Sequence, residues 1–346
     1  MLAGVGAIGA GAFALLRPNR ANAYYSGPVS DHFDGVKFFN PGGDQPRGFT
    51  DLLRWRFGES AAVWPDAFPS PLPPVKPEAR LTGPAPRVTF IGHASFLVQM
   101  SGLNILLDPV YAERASPVRF AGPKRANAPG IAFDDLPKID CILISHNHYD
   151  HLDTATVHRL WDRDRPRIIA PLGNEVLIRG GRADLTVEAG DWGAVFRLAD
   201  GLSLTLEPSQ HWSARGLGDR QHALWASMIL ESAWGKLWYV GDTGFGDGRV
   251  FRGLKARHPV IRAGLIPVGA YEPRWFMRQQ HINPEEAVEI FRLLGLESAL
   301  GYHWGTFKLT NEPVDQPPAD LAKALDGAGI ARERFVAALP GHVWNG

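Results

Sequence analysis

The chain of 346 residues has one cysteine, Cys141, so no disulfide can form within it. That thiol sits in the apolar run Cys141–Ile144, where a buried, unreactive side chain is a simpler reading than a metal ligand. A lone cysteine says nothing about redox compartment. An excess of one charge is also missing. Lys and Arg number 36, Asp and Glu number 36, and no basic run stands out. This disfavours a nucleic-acid partner, because a phosphate backbone demands a basic face. Acidic small molecules stay open as substrates, since a bound metal can supply positive charge locally.

Long hydrophobic runs are absent after the first residues. Leu2–Leu16 is apolar and rich in Gly and Ala; Arg17 and Arg20 follow, and Ala21-Asn22-Ala23 resembles a signal-peptidase site. As a helix that run would reach about 22 Å, short of a hydrocarbon core of roughly 30 Å. Residues 1–23 therefore read as an export signal or short membrane anchor, with the protein in the cell envelope. The missing basic start leaves a disordered or helical tail, and a cytoplasmic location, as the alternative.

What remains is ordinary globular composition, 45% hydrophobic and 21% charged, with length for one large domain or two. Residues 24–86 are aromatic and irregular, and eight prolines between Pro65 and Pro86 forbid regular helix or central strand there. This part reads as an extension wrapping a main domain at 87–346. In that domain Val88–Ile91, Phe96–Met100 and Asn104–Leu107 suit antiparallel strands. Further strands are expected at Arg167–Ala170, Leu202–Glu207, Leu224–Leu230, Lys236–Val240 and Ala263–Ile266. Helices are expected at Thr154–Trp161, Gly248–Arg257, Pro284–Leu294 and Ala319–Ala328. The start at Pro284 is well marked, with Asn283 as N-cap and Glu286 completing a capping box. Strands and helices in this arrangement predict layered α/β packing, with sheets inside and helices outside.

The chemistry concentrates in Ser145–Asp153, S-H-N-H-Y-D-H-L-D, directly after Cys141–Ile144. His146, His148, Asp150 and His151 offer imidazole and carboxylate donors of the kind that borderline metals prefer. A strand ending in such a loop delivers several donors to one point. Three more candidates follow strand-like runs: His211 in P-S-Q-H-W-S, Asp242 in Y-V-G-D-T-G and His303 in G-Y-H-W-G-T. Loops on a rigid scaffold are where reactive groups are usually presented. Taken singly, each is more simply a hydrogen-bonding or surface residue. Together with the first loop they complete a donor set for two ions.

The order H-x-H-x-D-H, a distant His, G-D-T-G and a final His resembles the metallo-β-lactamase superfamily. The chain is more similar still to its branch of N-acylphosphatidylethanolamine-hydrolysing phospholipase D. That likeness runs through S-D-H-F-D-G at Ser30–Gly35, G-H-A-S at Gly92–Ser95 and R-A-S-P-V-R-F-A-G-P-K-R at Arg114–Arg125. It continues through Q-H-W-S-A-R at Gln210–Arg215, G-A-Y-E-P-R-W-F-M at Gly269–Met277 and H-I-N-P-E-E-A at His281–Ala287. The resemblance implies a four-layer αββα sandwich with two zinc ions at one edge. His146, His148 and His211 would hold one ion, Asp150, His151 and His303 the other, and Asp242 would bridge them. Iron or manganese also suits such mixed ligands. Homodimerisation and contact with a membrane surface are further implications.

Two such ions ionise a trapped water at neutral pH and neutralise charge on a phosphoryl or carbonyl oxygen. The expected reaction is hydrolysis of a phospholipid diester with phospholipase D polarity; a lactonase or other ester hydrolase is the alternative. Asp150 would also shuttle the water proton. His281 would contact the substrate phosphate or protonate the leaving group, unless it merely closes its loop. Asp108 would orient a ligating imidazole or cap the turn at Pro109, and His93 would lie near the metals. Trp225, Trp275, Phe276 and Trp304 are candidates for an apolar groove, although core packing is the simpler reading for most of them.

Overall fold

The computed structural model describes residues 21–216 and 218–346. The expected leader at 1–23 thus falls almost wholly outside the described residues. Among the described residues fourteen strands form two seven-stranded sheets. The first contains β1 (Arg87–Gly92), β2 (Ser95–Met100), β3 (Leu103–Leu107), β4 (Cys141–Leu143), β5 (Arg167–Pro171), β6 (Glu188–Gly190) and β14 (Val343–Asn345). The second contains β7 (Val195–Ala199), β8 (Leu202–Glu207), β9 (Ser227–Ser232), β10 (Gly235–Tyr239), β11 (Ala263–Pro267), β12 (Ser298–Tyr302) and β13 (Phe335–Ala337). Spatial order is β14-β1-β2-β3-β4-β5-β6 in one and β13-β12-β11-β10-β9-β8-β7 in the other. Strands β1 to β3 pair antiparallel, as their spacing predicts, whereas β3 to β6 and β10 to β13 run parallel.

The period of two along each strand assigns the layers. In β4, Cys141 and Leu143 face the core between the sheets, while Ile142 faces outward. Phe90, Phe96, Val98 and Leu107 meet Leu204, Met228, Leu265 and Tyr302 in that inner core. Helices α2 (Thr154–Asp164) and α3 (Asn174–Arg179) cover the outer face of the first sheet through Val157, Leu160 and Ile178. Helices α4 (Arg249–Arg257), α6 (Pro284–Leu294) and α7 (Gln316–Gly327) cover the second through Phe251, Ile290, Phe291 and Leu321. The result is the expected αββα sandwich. Helix α6 starts as its sequence predicts: the Asn283 side chain accepts from Glu286 N–H while Glu286 reaches back to the Asn283 N–H.

Two readings needed revision. Leu224 and Trp225 precede β9 rather than opening it, because they pack against Phe33 and Phe38 of the N-terminal extension. Within that extension a helix, α1 (Phe49–Gly58), was not foreseen; it buries Trp55 alone. The proline-rich connector is irregular, as expected, and is tied to the sandwich by Phe68 N–H to Ala126 O (2.6 Å) and Val75 N–H to Gly130 O (2.7 Å). Among the described residues no helix is long and apolar enough to cross a membrane.

Candidate metal centre

The donor-bearing loops all leave one edge of the sandwich: after β4, β8, β10 and β12. Parallel strands direct their carboxyl ends to a common edge, where α/β sheets usually carry their sites. The turn at Asp242 depends on glycine. Gly241 has φ 65°, and a Cβ there would lie 2.8 Å from Ser145 Cβ. At Gly244 a Cβ would lie 2.5 Å from the Gln279 carbonyl oxygen. Three non-glycine residues of the site, His93 (φ 55°), Asp108 (φ 39°) and His303 (φ 71°), are also held in the left-handed region. Each such residue costs on the order of 1 kcal/mol or more, which surrounding contacts must offset.

All seven expected donors converge. Asp242 Oδ2 is central, 3.2 Å from both His151 Nε2 and His303 Nε2, 3.8 Å from His211 Nε2 and 3.9 Å from His146 Nε2. His148 Nδ1 lies 3.0 Å from His146 Nε2 and 3.2 Å from His211 Nε2. Asp150 Oδ2 lies 3.3 Å from His303 Nε2 and 3.7 Å from His151 Nε2. Donors held about 2 Å from a tetrahedral ion stand about 3.3 Å apart, so these spacings fit ion shells. A second observation agrees. His151 Nε2 and His303 Nε2, the atoms that face Asp242, and Asp242 Oδ1 are buried with no hydrogen-bond partner. Such orphaned groups are rare without an ion or water to satisfy them. The donor set therefore fits a metal centre.

The cluster's electrostatics lead to the same place. Burial raises a carboxyl, yet the surrounding imidazoles hold Asp150 and Asp242 well below the usual carboxylate range. Burial keeps His146 and His211 well below their ordinary value and His148 down to about 4. At His303 burial is outweighed by Asp242 and Asp150, which push it up to about 9; His151 is likewise raised. Two anionic carboxylates, with His146, His148 and His211 held neutral by burial, form a ready cation site.

The residues around the donors orient them. Asp108 is fully buried: Oδ1 accepts from Ser145 N–H (2.7 Å), and Oδ2 from the Ser145 hydroxyl, His151 Nδ1 (2.7 Å) and the Tyr239 hydroxyl (2.6 Å). The contact with His151 Nδ1 is the geometry its orienting role requires, and it leaves His151 Nε2 bare toward Asp242. His93 does lie at the cluster, with Nε2 2.8 Å from Asp150 Oδ2, and burial pushes it down to about 3. His211 Nδ1 is tied to Gln280 O at 2.9 Å, and the His211 carbonyl accepts from Asn40 of the extension. His281 faces the same centre, Nδ1 3.8 Å from Asp242 Oδ2. Trp225 and Trp304 are core residues, and Phe276 packs under Trp55.

Three site residues fall in motifs noted in the sequence, Tyr239 in Y-V-G-D-T-G and Trp212 and Arg215 in Q-H-W-S-A-R, but their roles were not legible there. Tyr239 reads as an ordinary strand aromatic. Arg215 donates from Nη1 to Asn147 O (2.9 Å) and Leu152 O (2.8 Å), clasping both ends of the metal loop. Its guanidinium lies 3.9 Å from the Tyr149 ring centroid. Trp212 packs edge-on to His148 at 4.7 Å.

Comparison with known proteins agrees with this architecture. Residues 103–304 match a family model described as a Beta-lactamase superfamily domain. The chain is 37% identical over 268 residues to N-acyl-phosphatidylethanolamine-hydrolyzing phospholipase D 1 of Caenorhabditis elegans, covering 74% of this chain and 75% of that protein. It is 31% identical over 245 residues to the mitochondrial N-acyl-phosphatidylethanolamine-hydrolyzing phospholipase D of Saccharomyces cerevisiae, covering 70% of this chain and 52% of the yeast protein. Among solved structures, an isothiocyanate hydrolase from Delia radicum gut bacteria superposes with a TM-score of 0.59 at 18% identity, over 75% of this chain and 98% of the other. At that identity the superposition speaks for the fold alone. With a family model matched over more than half its length and this relative at 37% identity, the chain belongs to the metallo-β-lactamase superfamily, as a metal-dependent hydrolase near the N-acylphosphatidylethanolamine-hydrolysing phospholipase D branch.

Proposed function

We propose that the protein is a phosphodiesterase of phospholipase D type, acting with two zinc ions on N-acylphosphatidylethanolamine-like phospholipids. The observation that carries this reading is the clustering of six donors around the Asp242 carboxylate, four of them within 3.9 Å of its Oδ2, in a chain 37% identical to a phospholipase of that specificity. His146, His148 and His211 would hold one ion, Asp150, His151 and His303 the other, and Asp242 both. Bound there, the metal supplies an acidified water and charge to offset that of a phosphoryl oxygen.

The chain's own residues do the rest. Asp150 keeps 12% of its side chain open to solvent against 1% for Asp242, so it is the carboxylate suited to take the proton of the attacking water. His93 donates to Asp150 Oδ2 and fixes the orientation of that carboxylate. His281 has 12% of its side chain exposed, and burial, outweighing the Asp242 carboxylate, pushes it down to about 4. A neutral imidazole at physiological pH donates a hydrogen bond to a phosphoryl oxygen more readily than it protonates a leaving group, which favours the first of its two expected roles. Water adds to phosphorus as Asp150 takes its proton, the bond from phosphorus to the ethanolamine oxygen breaks, that proton passes to the departing oxygen, and phosphatidic acid and an N-acylethanolamine are released.

The test incubates purified full-length protein with N-acylphosphatidylethanolamine and, separately, with an acyl homoserine lactone, each with and without chelator. Chelator-sensitive release of N-acylethanolamine with elemental zinc in the protein is expected. Hydrolysis of the lactone alone, or no release from the phospholipid, would overturn the reading.

A further inference from the structure

We propose that Arg220 is a specificity residue that receives a carboxylate on the headgroup, so that the site takes N-acylated phospholipids with an acidic headgroup, of which N-acylphosphatidylserine is the simplest. The proposal rests on the phosphodiesterase reading above for the class of bond. Its physical basis is a guanidinium held half-buried beside the metal donors without a counter-ion. Among the described residues Arg220 forms no ion pair, and its one hydrogen bond runs from Nη2 to the Arg47 carbonyl at 2.8 Å. Asp219, its neighbour in sequence, is committed elsewhere. It accepts from the Tyr24 hydroxyl (2.6 Å) and from the backbone N–H groups of Arg215 (3.1 Å) and Gly216 (2.8 Å). Burial pulls the Arg220 guanidinium below its ordinary value, and no carboxylate opposes that shift. A charge drawn out of water unpaired is costly, and an anion that arrives with the ligand offsets the cost.

Arg220 stands one aromatic ring away from the metal donors. Its Cζ lies 4.7 Å from the Trp212 ring centroid, and that ring packs edge-on to His148, also at 4.7 Å. Trp212 Nε1 is buried with no hydrogen-bond partner among the described residues. An indole offers one donor and a guanidinium several, and neither carries an acceptor. The group that completes them is therefore an acceptor alone, and a carboxylate bonded to a guanidinium is the strong case. Arg47 holds the Arg220 side chain in place: its own Nε donates at 3.2 Å to the carbonyl of Trp275 in α5 (Arg274–Met277), while its carbonyl accepts from Arg220. Arg215 differs, since its guanidinium is engaged by the Asn147 and Leu152 carbonyls.

The place of that carboxylate in the substrate follows from the chemistry. The scissile phosphate belongs against the donor cluster, two ring-sized steps from Arg220. On its glycerol side the lipid has only uncharged esters, and the acyl chain of the amide is apolar. Charge varies in the headgroup between phosphate and amide. A serine headgroup differs from ethanolamine by one carboxylate, on the carbon that bears the amide nitrogen, a few bonds beyond phosphorus. The same phosphorus–oxygen bond breaks: the oxygen of water passes to phosphatidic acid, and its proton to the departing hydroxyl of N-acylserine.

The test reads binding and turnover separately on the full chain as purified. The binding probes are glycerophospho-N-acetylserine and glycerophospho-N-acetylethanolamine, soluble diesters that differ by one carboxylate, titrated by calorimetry. The serine probe should bind about tenfold more tightly, the worth of one charge-assisted contact. Arg220→Gln should bring the two affinities level. Arg220→Lys, which keeps the charge and loses the planar fork, should keep part of the preference. The comparison of probes on the wild-type chain needs no variant, so a misfolded substitution does not spoil it. Equal affinity for the two probes, binding of neither, or a preference that survives Arg220→Gln would each overturn the proposal. Turnover is then compared on N-acylphosphatidylserine and N-acylphosphatidylethanolamine, where the difference in kcat/KM should lie in KM and shrink in Arg220→Gln. A probe preference lost in that variant, with neither lipid hydrolysed, supports the role of Arg220 and removes the diesterase reading. Hydrolysis of N-acylphosphatidylethanolamine with no preference for the acidic headgroup does the reverse.

Discussion

Replacing Asp108 by asparagine changes one atom in a fully buried group and tests how the centre is assembled. Asp108 receives four donors: Ser145 N–H at Oδ1, and the Ser145 hydroxyl, His151 Nδ1 and the Tyr239 hydroxyl at Oδ2. An amide has one acceptor oxygen. If its NH2 replaces Oδ1, the Ser145 N–H loses its partner; if it replaces Oδ2, His151 Nδ1–H does. Either orientation strands at least one buried donor, at about 1–3 kcal/mol. The second also reverses the His151 tautomer, putting a proton on the Nε2 that faces Asp242. Outer-shell changes of this type lower metal affinity about 10- to 100-fold. Asp108→Asn should therefore lose metal in chelator competition by that factor and unfold at lower denaturant as the metal-free protein. Wild-type metal affinity together with wild-type stability would refute the orienting role of Asp108.

Four further outcomes follow from the same geometry. His281→Ala should retain metal by elemental analysis yet lose turnover by at least about tenfold; unchanged kcat would remove it from the reaction. Arg215→Met should weaken metal binding about tenfold by releasing Asn147 O and Leu152 O, and Arg215→Lys should restore only part of it. Burial pushes the Cys141 thiol up to about 12, so thiol reagents should label it only on denaturation; rapid native labelling would contradict its placement between the sheets. Finally, His303, pushed up to about 9, carries a proton at pH 7.5 in the metal-free protein, with His151 raised in the same direction, and metal accepts only neutral imidazole. Zinc uptake at that pH should release on the order of one proton or more, seen calorimetrically as a dependence on buffer ionisation enthalpy, and fewer as pH rises through 9. A buffer-independent heat would count against it.

The metal loop is legible because it is local. His146, His148, Asp150 and His151 lie in one short turn after an apolar strand, and their spacing alone suggests a cation. Helix α6 is legible for the same reason, since Asn283, Pro284 and Glu286 specify its start through neighbours in sequence. Asp108 with His151 spans 43 residues and Asp108 with Tyr239 spans 131. No pattern along the chain encodes such pairs. Helix α1 escaped notice because glycine bounds it, with Gly48 before it and Gly58 as its last residue, and its apolar positions do not face a core.

Residue order alone established which side chains carry donor atoms, the layered α/β class and the strand ends that present the chemistry, since these follow from periodicity and loop composition. The packing of one sheet on the other decided that Asp242 lies at the centre of the histidines, that Asp108 and Arg215 hold the loop in shape, and that Phe49, Leu53 and Phe57 face outward. The reason is physical: ligand spacing within a turn is set by a few backbone dihedrals, whereas the approach of loops from two sheets is set by the whole buried core between them.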